Sequence, residues 1–138
     1  MGQRTWIVFL CGAGLLNLLG CDGGKGDPEY QRQLKAFAAA YYTYVDQNHS
    51  APSDLNGLYG LRAGFPQVYA DIEAGRFVVV WGAELEQTAT DNDKYVLGYE
   101  ATVPQEGGLV LLGGGTVRQM SAEEFAKWKP FKKPAKHE

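Results

Sequence analysis

The chain has 138 residues, with 16 Asp and Glu against 13 Lys and Arg, for a formal net charge of −3. That mildly acidic balance excludes a nucleic-acid partner, which needs a basic footprint. The length accommodates one domain of ordinary size and no more.

The first element is not a domain element. Arg4 is the only charged residue before Cys21, and an uncharged, mostly apolar run extends from Trp6 to Leu19. It is too short to span a bilayer as a helix, which takes about 18 or more apolar residues, and it has the size of a secretory h-region. Gly12, Gly14, Asn17 and Gly20 would make it a poor core helix, since glycine is costly inside helices. The run closes on Leu18-Leu19-Gly20-Cys21, which resembles the bacterial lipobox: an apolar residue, a small residue, then the cysteine that is lipidated. The resemblance implies cleavage after Gly20 and acylation of Cys21. The partner is then a membrane, the cell membrane or the outer membrane, with the domain facing the periplasm or the exterior. Two acyl chains hold far more firmly than one.

Removal of residues 1–20 takes away Arg4 and Cys11 and brings the net charge to −4. With lipid on its sulfur, Cys21 leaves no disulfide, no cysteine metal site and no cysteine nucleophile. Residues 21–27, Cys-Asp-Gly-Gly-Lys-Gly-Asp, read as a flexible tether. Six residues reach at most about 20 Å, which keeps the domain near the membrane surface.

A domain is expected over 28–128. Asp27 is placed to cap a helix, and Pro28 suits its first position. Tyr30, Leu34, Phe37, Ala38, Tyr41 and Val45 recur at spacings of three and four, the stripe of an amphipathic helix that ends near Gln47-Asn48. Residues 50–75 read as a connector with short helical pieces, one capped by Ser53 or Asp54 and one starting at Phe65-Pro66. Phe77-Val78-Val79-Val80-Trp81 has strand composition, as does Lys94 to Glu100. Val103 to Gly108 is expected as a turn. Leu109 to Leu112 and Thr116 to Met120 form a hairpin about Gly113-Gly114-Gly115, a turn that suits glycine. Ser121-Ala122-Glu123-Glu124 matches a capping box for a short helix bearing Phe125 and Trp128. The Lys- and Pro-rich tail, 129–138, is expected frayed or extended. The order predicts an α+β domain: one long N-terminal helix on a roughly four-stranded antiparallel sheet, with a short C-terminal helix.

Leu34-Lys35-Ala36-Phe37-Ala38-Ala39-Ala40-Tyr41-Tyr42-Thr43-Tyr44-Val45-Asp46, followed by Pro52, resembles a segment of pseudopilin-like proteins abundant in planctomycetes. Those carry a domain of unknown function related to the G-type pseudopilins of type II secretion. Phe77 to Gly82, Val96 to Glu100, Leu111 to Arg118 and Met120 to Phe125 have counterparts in them, so the resemblance covers roughly 30–128. It implies a non-enzymatic binding or structural role at the envelope, with a possible envelope protein partner. The chain departs from pilin precursors in its lipobox, its polar tether and its lack of the membrane-embedded half of the helix. The usual Asp of the hairpin turn is replaced by Gly114 or Gly115. A pseudopilin-like head on a lipid anchor is therefore expected, without pilus-type polymerisation.

The strongest candidate for chemistry is Thr88-Ala89-Thr90-Asp91-Asn92-Asp93. Asp91, Asn92 and Asp93 supply hard oxygen ligands suited to Ca2+, and some major pseudopilins bind calcium in the corresponding loop. The spacing does not match an EF-hand, and a solvated turn uses the same residues. A calcium- or small-ligand-binding envelope domain is the alternative function. His49 and His137 show no ligand or catalytic spacing, and Ser121 reads as a cap rather than a nucleophile. No enzymatic constellation is expected. Lys127, Lys129, Lys132, Lys133 and Lys136 could touch anionic headgroups or be solvated. Tyr41, Tyr42 and Tyr44 cannot all face one core, so the connector at 54–72 or a partner must cover at least one.

Overall fold

The computed structural model describes residues 27–83, 85 and 92–130. Residues 1–26, over which the signal segment, lipobox and tether are expected, lie outside the described residues, as do Asp91 and residues 131–138.

Helix α1 runs Pro28–Asn48. Asp27 is extended, its carboxylate accepts the Glu29 N–H at 3.0 Å, and Pro28 follows at the first position. The helix stops where His49 turns left-handed at φ 53° and returns its N–H to the Val45 carbonyl. The expected stripe is the buried face, with Val45 half-buried at its end. Gln33 is buried in the same stripe. Its Oε1 accepts the Gln67 N–H at 2.8 Å, and its Nε2 donates to Glu29 at 3.2 Å. That carboxamide caps helix α2 (Pro66–Glu73), where Phe65 offers no side-chain cap.

The connector is more helical than its glycines suggest. A 3-10 helix spans Leu55–Gly64, with Asp54 accepting the Asn56 N–H at 2.9 Å, and leads directly into α2. It covers Tyr44, whose ring lies against Gly57. Tyr41 is buried, and Tyr42 and Tyr44 are half-buried, so the fold itself houses all three.

Strands β1 (Phe77–Val79), β2 (Tyr95–Glu100), β3 (Gly108–Leu112) and β4 (Val117–Met120) form an antiparallel sheet in chain order. Register runs Val78 to Tyr99, Tyr99 to Val110 and Val110 to Arg118, with a bulge between Val96 and Gly98. β1 stops two residues short of the expected Trp81. The Trp81 ring instead stacks on Tyr41, 6.5 Å between centroids, and Gly82 turns the chain at φ 80°. The expected turn at 103–108 contains one helical turn, α3 (Val103–Glu106), opened by Pro104. Ser121 Oγ accepts the Glu124 N–H at 3.1 Å to start α4 (Ala122–Ala126), while the Glu124 carboxylate pairs with Arg118. Lys129–Pro130 is not merely tail: it forms β5, paired parallel with Tyr95 and Val96 on the β2 edge that β1 leaves open.

This is an α+β domain with both sheet faces covered. On one side, Leu34, Phe37 and Tyr41 of α1 pack with Phe65, Phe77, Leu97 and Leu111. On the other, Val96, Val103, Val110, Leu112 and Met120 are buried beneath Tyr99, Phe125 and Trp128. Double coverage explains why β3 reads as an unbroken apolar run: all five of its residues are buried.

Candidate functional site

Two of the three calcium candidates, Asn92 and Asp93, sit just ahead of β2, where Asn92–Lys94 form a single 3-10 turn against the β3–β4 hairpin. Asn92 points inward and is only 4 % exposed. Its Nδ2 donates to the Tyr42 hydroxyl at 2.7 Å, and that hydroxyl donates to the Gly113 carbonyl at 2.7 Å. Burial pushes the Tyr42 phenol up; the Asn92 hydrogen bond opposes the shift, and the nearby Asp93 carboxylate adds to it. Asp93 Oδ2 accepts the Thr116 hydroxyl at 2.9 Å. Its other oxygen, Oδ1, is buried without a hydrogen-bond partner. This carboxylate lies directly above Gly114, in the space a Cβ there would take. The Asp93 carboxylate thus fills the hairpin turn from outside.

The structure brings Asn92 and Asp93 together and adds three residues that local sequence does not flag: Tyr42, Gly114 and Thr116. Tyr42 lies fifty positions from Asn92 in the chain. Among the described residues, no three His, Cys, Asp or Glu side chains are grouped to hold a metal ion.

A second polar locus lies at the opposite end of the sheet, beside the start of α1. A cavity of about 300 Å3 is lined by Tyr30, Asp71, Arg76, Glu100 and Thr102. Tyr30 is buried, and its hydroxyl donates to Asp71 Oδ2 at 3.0 Å. Arg76 pairs with Asp71 Oδ1 at 2.7 Å, and Glu100 Oε2 accepts the Leu109 N–H at 2.7 Å. Tyr30, Asp71, Arg76 and Glu100 are thus engaged in holding α1, α2 and the sheet together. Burial, reinforced by the Asp71 charge, pushes the Tyr30 phenol well above its ordinary 10.0. A proton held more tightly in the folded state stabilises it fully below the unfolded value, and that stability is lost as pH rises through the folded one. The melting temperature should therefore fall above pH 10.0. Tyr30→Phe should flatten that decline, which thermal melts over an alkaline pH series would measure.

The remaining candidates are structural or outside the described residues. Ser121 is a helix cap, and His49 is the left-handed end of α1. Leu18, Leu19, Gly20, Cys21 and His137 are outside. Among the described residues, no helix is long and apolar enough to cross a membrane. Compared with known families, curated proteins and solved structures, the chain finds no match in any of the three.

Proposed function

We propose that this chain is a lipid-anchored envelope protein whose α+β head serves a non-enzymatic binding or structural role, beside secretion or pseudopilin-like machinery. The observation that carries the reading is the junction between anchor and head. A lipobox-like Leu18-Leu19-Gly20-Cys21 is followed six residues later by a helix with its own start: Asp27 caps it and Pro28 opens it. The pilin-type proteins the chain resembles use a long apolar helix for filament assembly. Here α1 begins after a polar tether and buries its apolar stripe within its own domain, so a lipid takes over the anchoring. An envelope protein is the partner this role calls for.

The test is intact mass with membrane fractionation, native protein beside Cys21→Ser. The native mass should correspond to loss of residues 1–20 plus acyl chains, and the variant should leave the membrane fraction. An uncleaved, unlipidated native protein overturns the reading.

A second reading, a calcium site at Asp91, Asn92 and Asp93, is favoured by one atom: the buried, unpartnered Oδ1 of Asp93. A cation bound only by the folded state raises its melting temperature by mass action. On this reading the native protein melts higher in Ca2+ than in chelator; equal melts remove it.

A further inference from the structure

We propose that Asn48 is a modification site, the acceptor for N-linked transfer of an oligosaccharide in the cell envelope. The proposal rests on the envelope reading above, because the transfer takes place after export.

Sequence singles the residue out. The chain has four asparagines, Asn17, Asn48, Asn56 and Asn92. Only Asn48 has a hydroxyl residue two positions on, in Asn48-His49-Ser50, with a residue other than proline between them. Asp46 places an acid two positions ahead, so Asp46-Gln47-Asn48-His49-Ser50 has the five-residue acidic form of the acceptor that serves exported bacterial proteins. Asn56 is followed by Gly57-Leu58. Asn92 is followed by Asp93-Lys94 and is buried.

Structure makes the same residue reachable. Every residue from Asp46 to Ser50 is exposed. Asn48 is the last residue of α1, and His49 ends the helix at φ 53°, the only non-glycine residue at positive φ among the described residues. Residues 49–54 then run without helix or strand. Inside a helix, residues two apart do not face each other. The break at His49 frees Ser50 to meet the same enzyme surface as Asn48. Asn48 Nδ2 donates to the Tyr44 carbonyl at 2.9 Å, its side chain's one hydrogen bond among the described residues. That bond ties up one amide proton and leaves the second for the reaction. No core contact is lost when a bulky, solubilising glycan is attached there.

The donor is an oligosaccharide joined through C1 of its first sugar to an isoprenoid diphosphate. Asn48 Nδ2 forms a bond to C1 as the C1–O bond to the diphosphate breaks. The diphosphate lipid leaves with the bonding pair, and one Nδ2 proton passes to a base of the transferase. Nothing is oxidised or reduced. Asn48 lies twenty residues beyond Pro28, about 30 Å along α1. The glycan therefore stands at the far end of the helix from the one that Cys21 precedes in the chain.

The experiment is mass spectrometry of the native protein from its own membranes, intact and as peptides, beside Asn48→Gln, Ser50→Ala and Ser50→Thr. The native peptide containing residues 46–50 should carry one oligosaccharide increment that yields sugar fragment ions. The increment should be lost entirely in Asn48→Gln and in Ser50→Ala and kept in Ser50→Thr, which retains the hydroxyl. An increment that survives Asn48→Gln overturns the proposal, since the sugar would then be on another residue. An unmodified peptide from a chain whose intact mass shows lipid on Cys21 overturns the proposal alone. An unmodified chain without lipid overturns both readings, and a modified chain without lipid supports the glycan and overturns the anchor.

Discussion

Phe37→Ala should cost this domain about 3–5 kcal/mol, the range for truncating a buried aromatic. Natural domains have only about 5–15 kcal/mol to lose, so the variant should sit near or past the folding threshold. Phe37 is fully buried at the meeting point of three segments. Its ring meets Phe65 of the connector edge-on at 5.4 Å, Trp81 after β1 at 6.3 Å, and Tyr41 of its own helix at 6.4 Å. Each such pair adds about 0.5–1.5 kcal/mol beyond burial. No other element can refill the space, because α1, the connector and the sheet all converge there. Urea titration followed by circular dichroism would measure the loss. Leu61→Ala, at a position 42 % exposed, should change stability by no more than about 0.5 kcal/mol. Equal effects at the two positions would refute the account of the core.

Gly107→Ala is the second large effect, and it comes from backbone. Gly107 sits at φ 76°, ψ 175°, a region held almost entirely by glycine, where another residue costs about 1–3 kcal/mol. Conformation is only half of it. An added Cβ would lie 2.6 Å from the Met120 carbonyl oxygen and 3.1 Å from the Ser121 Cα, both main-chain atoms that cannot swing aside. The strain and the clash fall on the junction between α3 and the β4–α4 corner. A loss of roughly 2–4 kcal/mol is expected. Gly75 separates the two causes: it has φ 75° but open space around it, so Gly75→Ala should cost only about 1–2 kcal/mol. Gly60 has neither constraint, and Gly60→Ala should be close to neutral. Denaturant midpoints at unchanged slope would rank the three.

Much of the fold was legible because local rules agree with the global one. Asp27-Pro28 announced the start of α1, the three-and-four spacing announced its buried face, and Ser121 announced α4. The misreadings share a cause: each depends on a partner distant in the chain. Val80 and Trp81 have strand chemistry, but the Trp81 ring is claimed by Tyr41, which ends β1 early. Lys129-Pro130 has tail composition, and only the open edge of β2 makes it a strand. Gln33, absent from the expected stripe, is buried because the bare N-terminus of α2 arrives beside it. The same holds at the candidate site. Asn92 and Asp93 stood out as an oxygen-rich turn, but nothing near them names Tyr42, Thr116 or the space above Gly114 that the Asp93 carboxylate fills. Those are set by how α1 and the hairpin close over the turn.

The order β1-β2-β3-β4 also bears on how quickly the molecule assembles. Each strand pairs with the next in the chain, so the sheet closes short loops, and little chain entropy is lost before contacts reward it. Helix α1 is different: the strands it covers begin near residue 77 and end near 120. Synthesis proceeds from the N-terminus, so the first helix made is the last to find its full set of partners. Part of its apolar stripe packs on the 3-10 helix and α2 that follow at once, and the rest waits for the strands. The slow step of folding should be docking of α1 onto a finished sheet, not formation of the sheet.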